Sequence, residues 1–210
     1  MLFRSRAIPN MTVVDVADAT QIRKALPSIA NVPGPVYLRL KRGEIPVIFP
    51  ASHQFSLDHA QLLIEGTDVA LLASGMMLAS ALAAARVLEA HGVSVTVVNV
   101  PVIKPLDAAT VTEVAGAARA VVTAENHTVV GGLGTAVAEV LAEAGLGRRL
   151  RRVGLRDTFA EGARTAPYLF ARYGLSTQSI IDAAWAALGK PGHGPVAEVA
   201  PAEDGEYAPV

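Results

Sequence analysis

The stretch Val121-Val122-Thr123-Ala124-Glu125-Asn126-His127, followed by Gly131-Gly132-Leu133-Gly134 and Thr135-Ala136-Val137-Ala138-Glu139, decides the fold class. An apolar strand runs into three polar side chains, and a glycine cluster then opens an amphipathic helix. This order aims bare backbone N–H groups and a polar cluster at the carboxyl edge of a sheet. In open α/β sheets that edge is where ligands and partners bind.

The pattern extends in both directions. Upstream, Val69 to Ala73 reads as a strand, Ser74-Gly75 as a turn, and Met76 to His91 as an Ala/Leu-rich helix ended by Gly92. Ser94 to Val100 is the next strand, and Asp107 caps a helix to about Ala118. The opening stretch supplies the strand Ala120 to Ala124 and a helix from Leu133 to Ala144 ended by Gly145. Downstream follow the strand Leu150 to Leu155, a short helix from Thr165 to Tyr173, and a last helix from Thr177 to Leu188 with Ile180, Ile181, Ala184 and Trp185 on its apolar face. Apolar strands alternating with helices predict an α/β fold with a mostly parallel sheet and helices on both faces.

The N-terminal part is smaller. Met11 to Val16 and Val36 to Leu40 read as strands around a helix capped by Asp18, with Pro27 expected to kink or shorten it. This β-α-β unit over residues 8–42 cannot cover a parallel sheet on both faces by itself. Residues 49–58 read as a linker, and His59 to Ile64 offers a strand. Residues 190–210, rich in proline, glycine and acidic residues, are expected to be disordered.

Composition limits the function. At 51% apolar and 18% charged residues, with a formal net charge of -1, the chain has a full core and no basic stripe for nucleic acid. The absence of cysteine excludes disulfides and thiolate metal sites. No apolar run reaches the roughly 18 residues of a membrane span, and no signal core follows Arg4 and Arg6. A cytoplasmic protein, binding neither nucleic acid nor membrane, is expected. The histidines at 53, 59, 91, 127 and 193 form no pair at helical ligand spacing, so no metal site is expected in this chain.

Each polar motif has two readings. Gly132-Leu133-Gly134 starts a dinucleotide fingerprint, with Asp157 about where a ribose-binding acid would lie, but Val137 occupies the last glycine position. Alternatively, Gly131, Gly132 and Gly134 make a tight strand-to-helix turn. Glu125, Asn126 and His127 suit an acid/base group or a cluster that satisfies loop backbone or a domain interface. Lys104 is available to an anion or to solvent, and Met76 and Met77 suit core packing. Arg39, Lys41 and Arg42 close the second N-terminal strand; Arg42 stands out as a residue able to grip a phosphate with two parallel hydrogen bonds, against the alternative of a surface cation.

Taken together, the segments Arg6 to Asp15 with Ala17 to Thr20, Val36 to Pro46, Asp68 to Met77, Val102 to Asp107, Glu125 to Gly134 and Asp157 to Thr177 resemble the C-terminal part of transketolase. The match is nearest to the C-terminal subunit of bacterial split transketolases. More distant resemblances are to deoxyxylulose-phosphate synthase and the β subunits of 2-oxoacid dehydrogenases. The resemblance implies two-carbon ketol transfer between sugar phosphates, with thiamine diphosphate and magnesium as cofactors. It also implies that the chain starts inside the pyrimidine-binding domain. Residues 1–48 would be the end of that domain, 49–58 a linker, 59–189 the C-terminal domain and 190–210 the tail. The activating glutamate and the diphosphate and metal motif would lie on other segments, with no catalytic residue here. Arg42 falls where the family has its phosphate-binding arginine. The implied partners are an N-terminal transketolase subunit or a second copy of the chain.

Three functions are therefore weighed: an enzyme segment, a non-catalytic module docking on pyrimidine domains through the Glu125–Gly134 face, and an independent nucleotide-binding domain. The 8–42 unit, lacking strands for its edge, is expected to pack on the C-terminal domain or another chain, or to be mobile.

Overall fold

The computed structural model describes residues 2–41, 45–162, 165–192 and 194. In chain order the elements are α1 (Leu2–Ala7), β1 (Thr12–Asp15), α2 (Ala19–Ala30), β2 (Val36–Arg39), β3 (Gln61–Ile64), β4 (Val69–Ala73), α3 (Met77–Ala90), β5 (Val95–Asn99), β6 (Val102–Lys104), α4 (Ala108–Ala117), β7 (Ala120–Thr128), α5 (Leu133–Glu143), β8 (Arg149–Leu155), α6 (Ala166–Arg172) and α7 (Thr177–Leu188).

Five strands form the main sheet in the order β3-β5-β4-β7-β8. β4 pairs in parallel with β5 and β7, and β7 with β8; β3 alone joins antiparallel, along β5. The sheet is mostly parallel, as the alternation of elements predicts. Side-chain alternation along β4 builds the two cores. Val69, Leu71 and Ala73 face α3 and α7, meeting Leu78, Leu88, Ile180 and Ile181. Ala70 and Leu72 face α4 and α5, meeting Val111, Leu133 and Val137. Every β4 residue is buried, which explains why the strand reads as one unbroken apolar run.

The N-terminal unit is completed from elsewhere in the chain. β1 pairs in parallel with β2 and antiparallel with β6, giving a three-stranded sheet β2-β1-β6. The Val102–Lys104 segment, which follows the expected strand Ser94 to Val100 and received no element of its own from the sequence, is thus the strand that covers one edge of the N-terminal unit. The unit packs on the rest of its own chain, the first of the expected alternatives.

Other elements depart from expectation in detail. α2 continues through Pro27 to Ala30. Pro27 has no N–H to donate to the Arg23 carbonyl, so the helix continues with one intrahelical bond forgone, and its own carbonyl accepts from the Asn31 side chain. The 49–58 segment is held to the fold: Ile48 and Phe49 N–H donate to the Asp18 carboxylate, and His53 is buried against Phe49 with ring centroids 4.0 Å apart. The expected disordered tail lies outside the described residues apart from 190–192 and 194.

Candidate functional site

The carboxyl ends of the two sheets meet at Asp15. It closes β1, is fully buried, and lies in register with Arg39 of β2. One carboxylate oxygen accepts from Lys41 Nζ at 2.5 Å. The other accepts from Ser74 Oγ at 3.2 Å and lies 3.4 Å from Arg39 Nη1. The Asp15 N–H donates to the Pro101 carbonyl, and its own carbonyl accepts from Gly75 N–H. Gly75 has φ +56°, and a Cβ there would stand 2.7 Å from both carboxylate oxygens, so glycine is required twice over. Arg39 continues across the joint, donating through Nη2 to the backbone and side-chain oxygens of Asn126 on β7. Asn126 in turn contacts Met76 Sδ.

β7 is longer than its apolar core suggests. It runs on to Thr128, so Glu125, Asn126 and His127 are strand residues, with the register against β8 broken between Ala124 and Thr128. Glu125 is fully buried, and its two oxygens accept from the N–H groups of Leu133 and Gly134, each at 2.8 Å. The carboxylate therefore takes the N-terminus of α5, the position a pyrophosphate would need. Gly132 leaves room for it: a Cβ there would lie only 1.8 Å from Glu125 Oε2. The nucleotide-binding reading of Gly131, Gly132 and Gly134 is corrected accordingly, because the donors it requires are already used. Asp157, its proposed ribose acid, lies exposed at a bend after β8, with φ 45°.

The Glu125–His127 pair also behaves unlike an ion pair. Burial pushes the Glu125 carboxyl up to about 7 despite the two N–H donors, with Asp15 adding to the rise. Burial likewise lowers His127, to about 4, although its Nδ1 faces the Thr128 carbonyl at 2.9 Å. The nearest approach of the two, Nδ1 to Oε2, is 3.9 Å. Desolvation outweighs their mutual attraction, and both groups move toward the neutral form. Around this cluster Asn126 accepts from Arg39, and the carbonyls of Gly131 and Gly132 lie within reach of Arg6 Nη1 at 3.2 and 3.4 Å.

Of the three clustered cations, Arg39 and Lys41 turn to Asp15, while Arg42 lies outside the described residues. Lys104 is half-buried, and its ammonium donates to the carbonyls of Arg6 and Ile8. Sequence reasoning passed over Asp15 and Ser74. The available signal was a lone carboxylate inside Thr12-Val13-Val14-Asp15-Val16-Ala17, where an apolar run tolerates a charge only if that charge is paired.

Residues 58–180 match the family described as "Transketolase, C-terminal domain". The chain belongs to the transketolase family. It is 46% identical over 179 residues to a 6-deoxy-6-sulfo-D-fructose transketolase subunit of a Clostridium species, covering 85% of this chain and 55% of that one. It is 45% identical over 179 residues to an uncharacterized transketolase family protein of Sinorhizobium fredii, covering 84% and 52%. A solved structure described as a split gene transketolase, inactive beta4 tetramer, superposes with a TM-score of 0.84 at 41% identity, covering 90% of this chain and 60% of that chain. The chain spans about half the length of these two relatives.

The described part of this transketolase chain does not fit a diphosphate–metal centre. Among the described residues no group of three or more His, Asp or Glu side chains is placed to hold a metal ion. The glycine-flanked N-terminus of α5 is filled by Glu125. Among the described residues no helix is long and apolar enough to cross a membrane.

Proposed function

We propose that this chain is the C-terminal portion of a transketolase that moves a two-carbon ketol unit between sugar phosphates, inactive alone and acting by assembly. Thiamine diphosphate and magnesium are held by an N-terminal subunit or segment, not by the residues described above. Residues 1–48 end the pyrimidine-binding domain, 49–58 connect it, and 59–189 form the C-terminal domain. Arg42 supplies a phosphate grip, and the complete enzyme works in the cytoplasm.

The observation that carries this reading is the joint at Asp15. It presents the strand end bearing residues 39–41 at the carboxyl edge, where α/β sheets meet ligands. The transketolase match over residues 58–180 supports the reaction class, and the inactive tetramer of a 41% identical neighbour supports inactivity of such a segment by itself. The test is an assay with thiamine diphosphate, magnesium and sugar phosphates, run on this chain with and without an N-terminal transketolase subunit. Turnover is expected only with both. Turnover by this chain alone, or absence of any complex on size-exclusion chromatography, would overturn the reading.

A further inference from the structure

We infer that the outer edge of β8 is a docking site for an acidic, extended segment of another protein, which joins the main sheet as an added strand. The inference does not depend on the reaction proposed above. β8 ends the main sheet and, among the described residues, pairs only with β7. The N–H and C=O groups along its other side therefore have no strand to bond.

This edge carries a concentration of positive charge that the fold does not neutralise. Arg149 and Arg151 are two residues apart on β8, so they share a face of the sheet, and both are exposed. Arg148 and Arg156 flank the strand and are exposed as well. Among the described residues, none of the arginines at 148, 149, 151, 152 and 156 forms an ion pair with a carboxylate. Three of them donate to backbone carbonyls instead: Arg148 to Ala115 and Gly116, Arg152 to Val129, and Arg156 to Arg152. Arg149 and Arg151 are left with their charge turned to solvent. Just after the strand, Phe159 is 99% exposed, although its carbonyl accepts from the Tyr173 hydroxyl at 3.3 Å. The loop is held while its aromatic ring faces water, the arrangement of an interface anchor.

Charge selects the occupant. A second copy of this chain is disfavoured, because pairing two β8 edges sets arginine beside arginine, and like charges on adjacent strands repel. Nucleic acid is a poor fit for the same edge. A few guanidiniums on a chain of net charge -1 neutralise few phosphates, and a phosphate backbone offers the strand no ladder of amides. An extended peptide supplies that ladder, and carboxylates at every second position fall on one face, beside Arg149 and Arg151.

The test titrates the full chain into a fluorescein-labelled eight-residue peptide that alternates glutamate and valine and ends in leucine, read by fluorescence anisotropy. Saturable binding is expected, at least about tenfold tighter than for the same peptide with lysine in place of glutamate. The Arg149→Ala, Arg151→Ala double variant should weaken binding about tenfold, and Phe159→Ser about threefold, with amide protection at Val69–Ala73 unchanged as evidence of an intact main sheet. A peptide N-methylated at its valines should lose binding, and the unmodified peptide should slow hydrogen exchange at residues 149–155, which charge attraction alone would not do. The acidic residues Glu198, Glu203, Asp204 and Glu206 of the chain itself are present as competitors, so an edge that they fill leaves the probe unbound. Absence of saturable binding, equal binding of the lysine or N-methylated peptide, or binding without slowed exchange at 149–155 would overturn the inference. So would displacement of the peptide by an equal concentration of oligothymidylate, which would mark the edge as a polyphosphate site.

Discussion

Glu125 and His127 are expected to mask each other's pH dependence. Glu125 holds its proton more tightly in the native state than in the unfolded chain, its value rising from an ordinary 4.5 to about 7. The stability this gives is full below 4.5 and is lost as pH rises through about 7. At about 1.4 kcal/mol for each tenfold change in proton affinity, the loss is about 3 kcal/mol. His127 falls from 6.5 to about 4, so its contribution is full above 6.5 and lost as pH falls through about 4, again about 3 kcal/mol. Between pH 4.5 and 6.5 the two slopes oppose and nearly cancel. Removing either group exposes the other. Relative to wild type, Glu125→Gln should gain about 3 kcal/mol as pH rises from 4.5 to 7, whatever fixed cost it carries from the weakened contacts to Leu133 and Gly134. His127→Asn should gain about 3 kcal/mol as pH falls from 6.5 to 4. Urea denaturation followed by circular dichroism from pH 4 to 8 reads both differences. A profile parallel to wild type for either variant would refute the claim that burial, and not mutual attraction, governs this pair.

Gly132→Ala must displace the Glu125 carboxylate or open the turn, and is expected to cost about 3 kcal/mol in the same denaturation assay; a loss under 1 kcal/mol would show that the turn relaxes easily. His53 is buried with neither ring nitrogen hydrogen-bonded among the described residues, and burial lowers its pKa. His53→Phe should therefore raise stability by about 1 kcal/mol, with the gain growing toward acid pH, and a lower melting temperature would count against it. Hydrogen exchange should show slower exchange at Val69–Ala73, buried on both faces, than at Val36–Arg39, half-buried on a sheet edge. Equal protection in the monomer would mean that the edge is covered.

Much of the architecture is legible in the sequence because each buried element carries its own period. The continuous apolar run Val69–Ala73 announces a strand covered on both faces, and Gly92, Gly145 and Gly174 punctuate the helices they follow. β6 is not legible, because three residues between prolines at 101 and 105 carry no period of their own; only pairing with β1 makes them a strand. The site divides in the same way. Glu125 and the glycines are recognisable as a unit, but their relation is not: sequence cannot reveal that the carboxylate occupies the donors which the glycines expose. Pro27 misleads because the loss of one N–H donor does not end a helix whose Ala25 and Ile29 are packed in the core. Asp15 is overlooked because its partners lie on β2 and beyond β4, and a charge in an apolar run has meaning only once those strands are aligned.

The loan of β6 to the N-terminal sheet also orders events in time. As the chain leaves the ribosome, residues 12–39 emerge well before Val102–Lys104, the strand that must flank them. The unit that emerges earlier therefore cannot finish folding before the later strand arrives. It must wait for part of the main sheet, and until then its open flank is exposed to whatever else is nearby.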